Sequence, residues 1–328
     1  MPMIGSTPLM LTEDVRDGRA WRRENLSPRD WLVTLSPRGL DELEAVLRQL
    51  RKDPLPTLLL TPDQFTLPAC AEAMDAVRAR VFDGIGLGVL GRLPVERYEP
   101  EENRVLCWLL SQLLERPVAQ AWNGAMLYDV RDTGKTLEYG VRRSVTNLDL
   151  TFHTDGPWLD LPPHLVGLYC INPAQEGGVS RFVSLVTAHN ELRRRHARLL
   201  PRLYRPFPWD KQAEHGPEDS KVGWQPIFEY DGRALVGRFN ERLIEAGAEL
   251  AGAPLDAEGK DALAAMRAVV DSPELCVEFT IERGQIQVIN NLAFAHSRTD
   301  FRDAPEPHRK RHMIRVWTRG AGRRTFYS

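Results

Sequence analysis

Cysteine is scarce and scattered in this chain. There are four, Cys70, Cys107, Cys170 and Cys276, and no two form a C-x-x-C pair. That spacing argues against a disulfide framework or a thiolate zinc site and implies buried, reduced thiols. A basic excess is also missing, because 43 Lys and Arg face 45 Asp and Glu for a net charge of −2. Nucleic acids and anionic membranes are usually met by a basic patch, so neither is an expected partner. No apolar run approaches the ~18 residues of a membrane span. The opening residues carry acids early and lack the basic-then-apolar order of an export signal, which makes the cytoplasm the expected location. Internal repeats and low-complexity tracts are absent too. What remains is 328 residues, 42% of them hydrophobic, enough to bury a full core as one large domain.

Residues 1–26 are mixed and aperiodic and read as a loosely attached arm; residues 27–328 read as a single domain. Ser36 followed by Pro37 opens the helix "PRGLDELEAVLRQLRK", a cap residue with proline at the first helical position. "LPACAEAMDAVRARVF" and "EPEENRVLCWLLSQLL" are amphipathic helices, whereas "PTLLLT" and "IGLGVLGRLP" read as short strands. From about Ala119 the pattern turns to strands: "AQAWNGAMLYDV", "TNLDLTFH", "HLVGLYCI" and "VSRFVSL". Residues 185–205 and 240–271 read as helices around a hairpin, "QPIFEYDGRALVGRF", whose Asp231-Gly232 suits a tight turn. This marks an insert at about 185–271, after which "CVEFTI" and "IQVIN" resume the strands. The order predicts a mainly β, α+β fold: a double-stranded β-helix (jelly-roll) core flanked by helices, with a helical insert.

The chemistry concentrates in two segments. In "LTFHTDGPW", His153 and Asp155 lie two positions apart, which on a strand turns both to one face. A second imidazole, His296 in "NNLAFAHSRTD", follows 141 positions after Asp155. An H-x-D pair alone reads as a hydrogen-bonded pair at a strand end. Two histidines and one carboxylate together form the facial ligand set of non-haem Fe(II) oxygenases. Arg311 and Arg315 in "KRHMIRVW" add fixed cations suited to an acidic co-substrate, and their separation of four keeps them on one strand face. His312 then points to the opposite face. Asp149 and Thr151 share parity with His153 and are expected to face the same cavity, which makes Asp149 a candidate substrate contact. Trp158 either walls that cavity or packs its loop.

The pieces "FHTDGPW", "AQEGGVSRFVS", "NNLAFAHSRTDFRD" and "RKRHMIRVWTRG", spread between about Phe82 and Trp317, resemble the taurine dioxygenase (TauD/TfdA) family of Fe(II)/2-oxoglutarate-dependent oxygenases. The resemblance implies that His153, Asp155 and His296 hold Fe(II). It implies that Arg311 grips the distal carboxylate of 2-oxoglutarate, with Ser180 standing where the family often has a threonine hydroxyl. Arg315 occupies the place of an arginine that contacts anionic substrates in some members. By the same resemblance, O2 and 2-oxoglutarate are consumed, succinate and CO2 are released, and a C–H bond of a small, anionic or amino-acid-like molecule is hydroxylated. The carboxylate of Asp155 favours hydroxylation, since related halogenases lack one at that position. Assembly into a homo-oligomer is left open.

Two readings from other classes stand beside this one: a zinc-type metallohydrolase, and a catalytically silent jelly-roll binding protein. Other motifs read more plainly. Gly86, Gly88 and Gly91 match G-x-G-x-x-G, but they follow a helix and run into Pro94, so a close-packed strand is expected and not a nucleotide site. The basic run Arg193, Arg194, Arg195, Arg198, Arg202 and Arg205 reads as a solvated helix face. Arg298 and Asp303 read as an ion pair pinning the loop after His296.

Overall fold

The computed structural model describes residues 8–327. Its larger sheet has the order β1 (Leu32–Val33), β2 (Leu87–Leu90), β14 (Ile286–Asn290), β6 (Leu165–Asn172), β17 (His312–Thr318) and β3 (Pro117–Val118), with β4 (Tyr128–Val130) also paired to β17. A smaller sheet has the order β13 (Cys276–Phe279), β8 (Ser180–Ser184), β15 (Phe294–Arg298) and β5 (Leu150–His153). Short pairs complete the strands: β7 (Glu176–Gly177) with β16 (Phe301–Arg302), β9 (Phe207–Asp210) with β10 (Val222–Gln225), and β11 (Phe228–Tyr230) with β12 (Leu235–Gly237). This is the expected mixed fold with a double-sheet core.

Strand parity divides the larger sheet. One face carries Leu165, Tyr169, Ile286, Val288, Ile314 and Val316, in one core cluster with residues of α1 (Pro37–Lys52), α2 (Pro68–Phe82) and α3 (Pro100–Gln112). The other face carries Val166, Ile289 and Trp317, which belong to the cluster that includes Phe182 and Phe294 of the smaller sheet. The alternation that buries Ile314 and Val316 under helices therefore sends Arg315 and Trp317 between the sheets. Ser36 caps α1 as its sequence suggests, its hydroxyl accepting from the Gly39 N–H at 3.2 Å.

Between β8 and β13 the chain leaves the sheets to form α4 (Leu185–Arg195), α5 (Leu200–Leu203), the β9–β12 hairpins, α6 (Glu241–Leu250) and α7 (Ala257–Val270). The helix expected over 185–205 breaks at His196, and Pro201 stands in the first turn of α5, where its missing N–H does no harm. The β9–β10 pair was not legible in the sequence. Two expected strands fail. "PTLLLT" is a single 3₁₀ turn with Leu58 and Leu59 exposed, and most of "AQAWNGAMLYDV" is loop, with Gly124 at φ 82° and only Tyr128–Val130 extended.

Residues 8–26 of the arm are docked, contrary to the loose attachment expected of it, and residues 1–7 lie outside the described residues. The Trp21 ring stacks on Phe294 at 6.0 Å, and its Nε1–H donates to the Ile85 carbonyl at 2.9 Å. Asp14 accepts from Arg193 and Arg194 at 2.7 Å each, so part of the basic run on α4 serves as a landing for the arm. Gly86 sits at φ 81°, where a Cβ would fall 1.7 Å from the Phe294 ring; its glycine is a packing requirement, as the strand reading of G-x-G-x-x-G implies. All four cysteines are free and buried. Among the described residues, no helix is long and apolar enough to cross a membrane.

Candidate metal centre

Antiparallel pairing of β5 with β15 sets His153 directly opposite His296. Their ring centroids are 4.2 Å apart, and both Nε2 atoms turn to Asp155 Oδ1, at 3.5 Å from His153 and 3.8 Å from His296. Adjacent ligands about 2.0–2.2 Å from one ion stand roughly 3 Å apart, so a small contraction closes this triad on a metal. Asp155 lies just past the end of β5, where Asn291 clamps its backbone: the Asp155 N–H donates to Asn291 Oδ1 at 2.7 Å, and Asn291 Nδ2 donates to the Asp155 carbonyl at 2.9 Å. The other carboxylate oxygen is taken. Oδ2 accepts from Trp317 Nε1 at 2.8 Å and from Arg315 Nη1 at 3.0 Å, leaving Oδ1 as the ligand atom.

Protonation states suit a metal as well. His153 Nδ1 lies 2.9 Å from the Thr151 carbonyl, a contact that requires the proton on Nδ1 and frees Nε2 to ligate. Burial, and after it the neighbouring His153, push the His296 imidazole down to about 3; the pull of Asp155 opposes them and a smaller push from Arg315 adds to them. Burial alone would raise the Asp155 carboxyl. The charge of Arg315 and the contacts with His153 and His296 outweigh it and hold the group well below the usual carboxylate range. A neutral imidazole and an ionised carboxylate are the forms a divalent metal binds.

Two cavities meet at this triad. The inner one lies between the sheets, lined by His153, Ser180, Gln287, His296, Arg298 and Arg311 among others. Arg311 is 4% exposed, yet its Nε and Nη1 have no partner. Burial pushes its guanidinium down to about 10. An unpaired buried cation costs several kcal/mol of desolvation, so this cavity is built to receive an anion. A ligand carboxylate beside Arg311 and Ser180, with a metal at the triad, fits that vacancy in the charge balance.

The outer pocket is lined by Arg142, His153, Asp155, Trp158, Gln212 and Arg315 among others. Trp158 is 5% exposed with its Nε1 unpartnered, and it forms wall here. Arg315 does face the cavities with Arg311, but its first partners are Asp155 and Gln120 Oε1, the latter at 2.8 Å. Asp149 is a correction. It is exposed, pairs with Arg143 at 2.7 Å, and lines neither cavity. The cause is a bulge: His153 opposes His296 but Leu150 opposes Arg298, so three residues of β5 span two of β15. Parity slips by one, and Leu150 takes the inward place. Arg298 does not pair with Asp303 either; it donates to the Thr146 and Leu148 carbonyls, while Asp303 accepts the Arg311 backbone N–H at 2.7 Å. Trp317, Gln120 and Asn291 went unnoticed in the sequence. Trp317 alone left a signal, since it stands two positions from Arg315 on one strand.

A double-sheet core that presents two imidazoles and one carboxylate at a shared mouth defines a non-haem metal oxygenase scaffold. The sequence agrees: residues 53–317 match the taurine catabolism dioxygenase TauD/TfdA family, and the chain belongs to it. It is thus an Fe(II)/2-oxoglutarate-dependent dioxygenase by family, and the hydrolase alternative falls away. The chain is 25% identical over 318 residues to the taurine hydroxylase-like protein SAT17 of Stachybotrys chartarum, covering 93% of this chain and 80% of that protein. It is 26% identical over 314 residues to FR-33289 synthase of Streptomyces rubellomurinus, covering 94% and 91%. Among solved structures, asparagine oxygenase with Fe(II), 3-hydroxyasparagine and succinate superposes with a TM-score of 0.64 at 19% identity, over 88% of this chain and 93% of that one. The oxygenase OrfP with Fe, succinate and (3S)-hydroxy-L-Arg gives 0.65 at 16% identity, over 88% and 94%.

Proposed function

We propose that this dioxygenase hydroxylates a C–H bond of a small molecule that is anionic or amino-acid-like. Fe(II) would be held by His153, Asp155 and His296, and 2-oxoglutarate by Arg311 and Ser180. The observation that carries the reading is the convergence of two Nε2 atoms and one carboxylate oxygen beside an unpaired buried arginine. Relatives support the substrate class, since asparagine oxygenase and OrfP are described with hydroxylated amino acids. When bound, Fe(II) and 2-oxoglutarate supply the activation of O2 that oxidises the C–H bond, with succinate and CO2 released.

The chain's own residues prepare that chemistry. Arg311 offers a planar fork that binds a carboxylate in two places and stays charged. Arg315 and Trp317 occupy Asp155 Oδ2, which keeps the ligand single-toothed and leaves neighbouring metal positions open. Trp158 and Leu243 narrow the outer pocket and exclude water from the prime substrate, with Arg315 as its expected anion contact. Four free, buried thiols support a reducing, cytoplasmic setting. Anaerobic addition of Fe(II) and 2-oxoglutarate should give a visible charge-transfer band, and small acids and amino acids should then be screened for coupled succinate release. A protein that binds Fe(II) but never develops the band contradicts this reading.

A further inference from the structure

Arg142 belongs to the loop before β5 and Arg315 to β17, yet both converge on Gln120. Arg142 Nη2 donates to its backbone carbonyl at 3.1 Å, and Arg315 Nε donates to its side-chain oxygen at 2.8 Å. Both guanidinium groups also lie over one ring, Tyr128, at 5.7 and 5.0 Å from its centroid. Both residues are buried, and each lines the outer pocket. Two like charges held together away from water repel strongly. The nearby acids are already engaged, Asp155 with Arg315 and Glu214 with Arg142. Even so, Arg142 Nε and Arg315 Nη2 have no partner. Arginines that merely braced the wall would gain by pairing these N–H groups, because a buried unsatisfied donor is costly.

We propose that Arg142 is a specificity-determining residue that acts with Arg315 to grip an oxyanion of the prime substrate; this rests on the reading of the outer pocket as the substrate site. Glu214 is its internal competitor. It sits on a segment where Gln212 and Ala213 adopt φ of 53° and 60°, a conformation that costs non-glycine residues energy and recurs at functional sites. Gln212 itself lines the pocket, so an anion arriving at Arg142 meets the strained segment that carries Glu214. Substrate binding exchanges the Glu214 carboxylate for the substrate's oxyanion around the same guanidinium.

The test uses the Fe(II)/2-oxoglutarate holoenzyme under anaerobic conditions, titrated with acetate, methanesulfonate and methylphosphonate. Binding is read from the charge-transfer band and from tryptophan fluorescence. The wild type should bind at least one of the three saturably, and their ranking identifies carboxylate, sulfonate or phosphonate as the preferred group. R142Q should weaken that binding about tenfold to a hundredfold, the loss of a charge-assisted hydrogen bond. E214Q should tighten it, a gain that a misfolded protein cannot imitate. Equal affinities in wild type, R142Q and E214Q overturn the proposal, as does a wild type that forms the 2-oxoglutarate band but binds none of the anions. If the band never forms, the co-substrate reading fails instead, and the fluorescence titration still decides Arg142.

Discussion

In the inner cavity Arg311, just ahead of β17, keeps two guanidinium nitrogens unpartnered; four residues on, at the wall shared with the outer pocket, Arg315 has given two of its nitrogens to Asp155 and Gln120. Residue type and burial are alike, and both line the inner cavity, but the partners differ. One arginine has no acid beside it, and the fold bears the desolvation cost of that unpaired charge; in the proposed reading a ligand carboxylate relieves it. The other steadies a metal ligand first and has one nitrogen left over. Burial and parity therefore do not fix an arginine's task; the acids within reach of it do.

The sharpest way to break this contrast is to remove the reserved cation. Arg311→Ala should weaken 2-oxoglutarate by about two to four powers of ten, the ~3–5 kcal/mol of a buried charge left without its partner. An anaerobic titration of the charge-transfer band measures it, and unchanged affinity would end the assignment. Without 2-oxoglutarate, Arg311→Met should melt higher than wild type, because no hydrogen bond or ion pair is lost and a thioether can still pack on the Phe301 ring.

Asp155→Ala tests the engaged cation. It should abolish tight Fe(II) binding and also cost about 3–5 kcal/mol of stability, since Arg315 is then stranded in the interior. Metal content and denaturant midpoint read the two effects separately; a variant as stable as wild type would show that the Arg315 pair contributes nothing. Trp317→Phe should be milder. Losing one N–H to a charged oxygen costs about 1.5–3 kcal/mol, expected mainly as roughly tenfold or greater weakening of Fe(II).

A pH series extends the comparison to the insert. His189 is fully buried against Tyr204, and burial pushes its imidazole from 6.5 down to about 4. Between those values the unfolded chain takes up a proton that the folded chain refuses, so stability should fall as pH drops from about 6.5 toward 4. His189→Gln should flatten that limb of a melting-temperature profile; an unaltered slope would place its origin elsewhere. The smallest effect belongs to the arm, where Asp14→Ala should cost about 1 kcal/mol per pair in the melting profile, since Arg193 and Arg194 stay open to solvent.

The candidate metal ligands were legible because their geometry is nearly local. Two-residue parity aligns His153 with Asp155, and one strand pairing brings in His296. Arg311 and Arg315 followed from the same parity. Asp149 misled because a bulge, invisible in composition, shifts the register between it and His153. Gln120, Asn291 and Arg142 come from loops whose path is set by distant packing, and nothing in their neighbours announces a role. "PTLLLT" failed for a related reason, since an apolar run becomes a strand only where a sheet edge stands ready to receive it.

Trp21 lies flat on Phe294, two residues before His296, although the family match begins only at residue 53. The unit that heredity defines and the unit that holds the metal strand rigid are therefore different lengths of chain. A protein trimmed to its family boundaries would lose the backing plate of its own active site. Its defect would show first as a loosened His296, in metal off-rate and hydrogen exchange along β15, before any loss of fold.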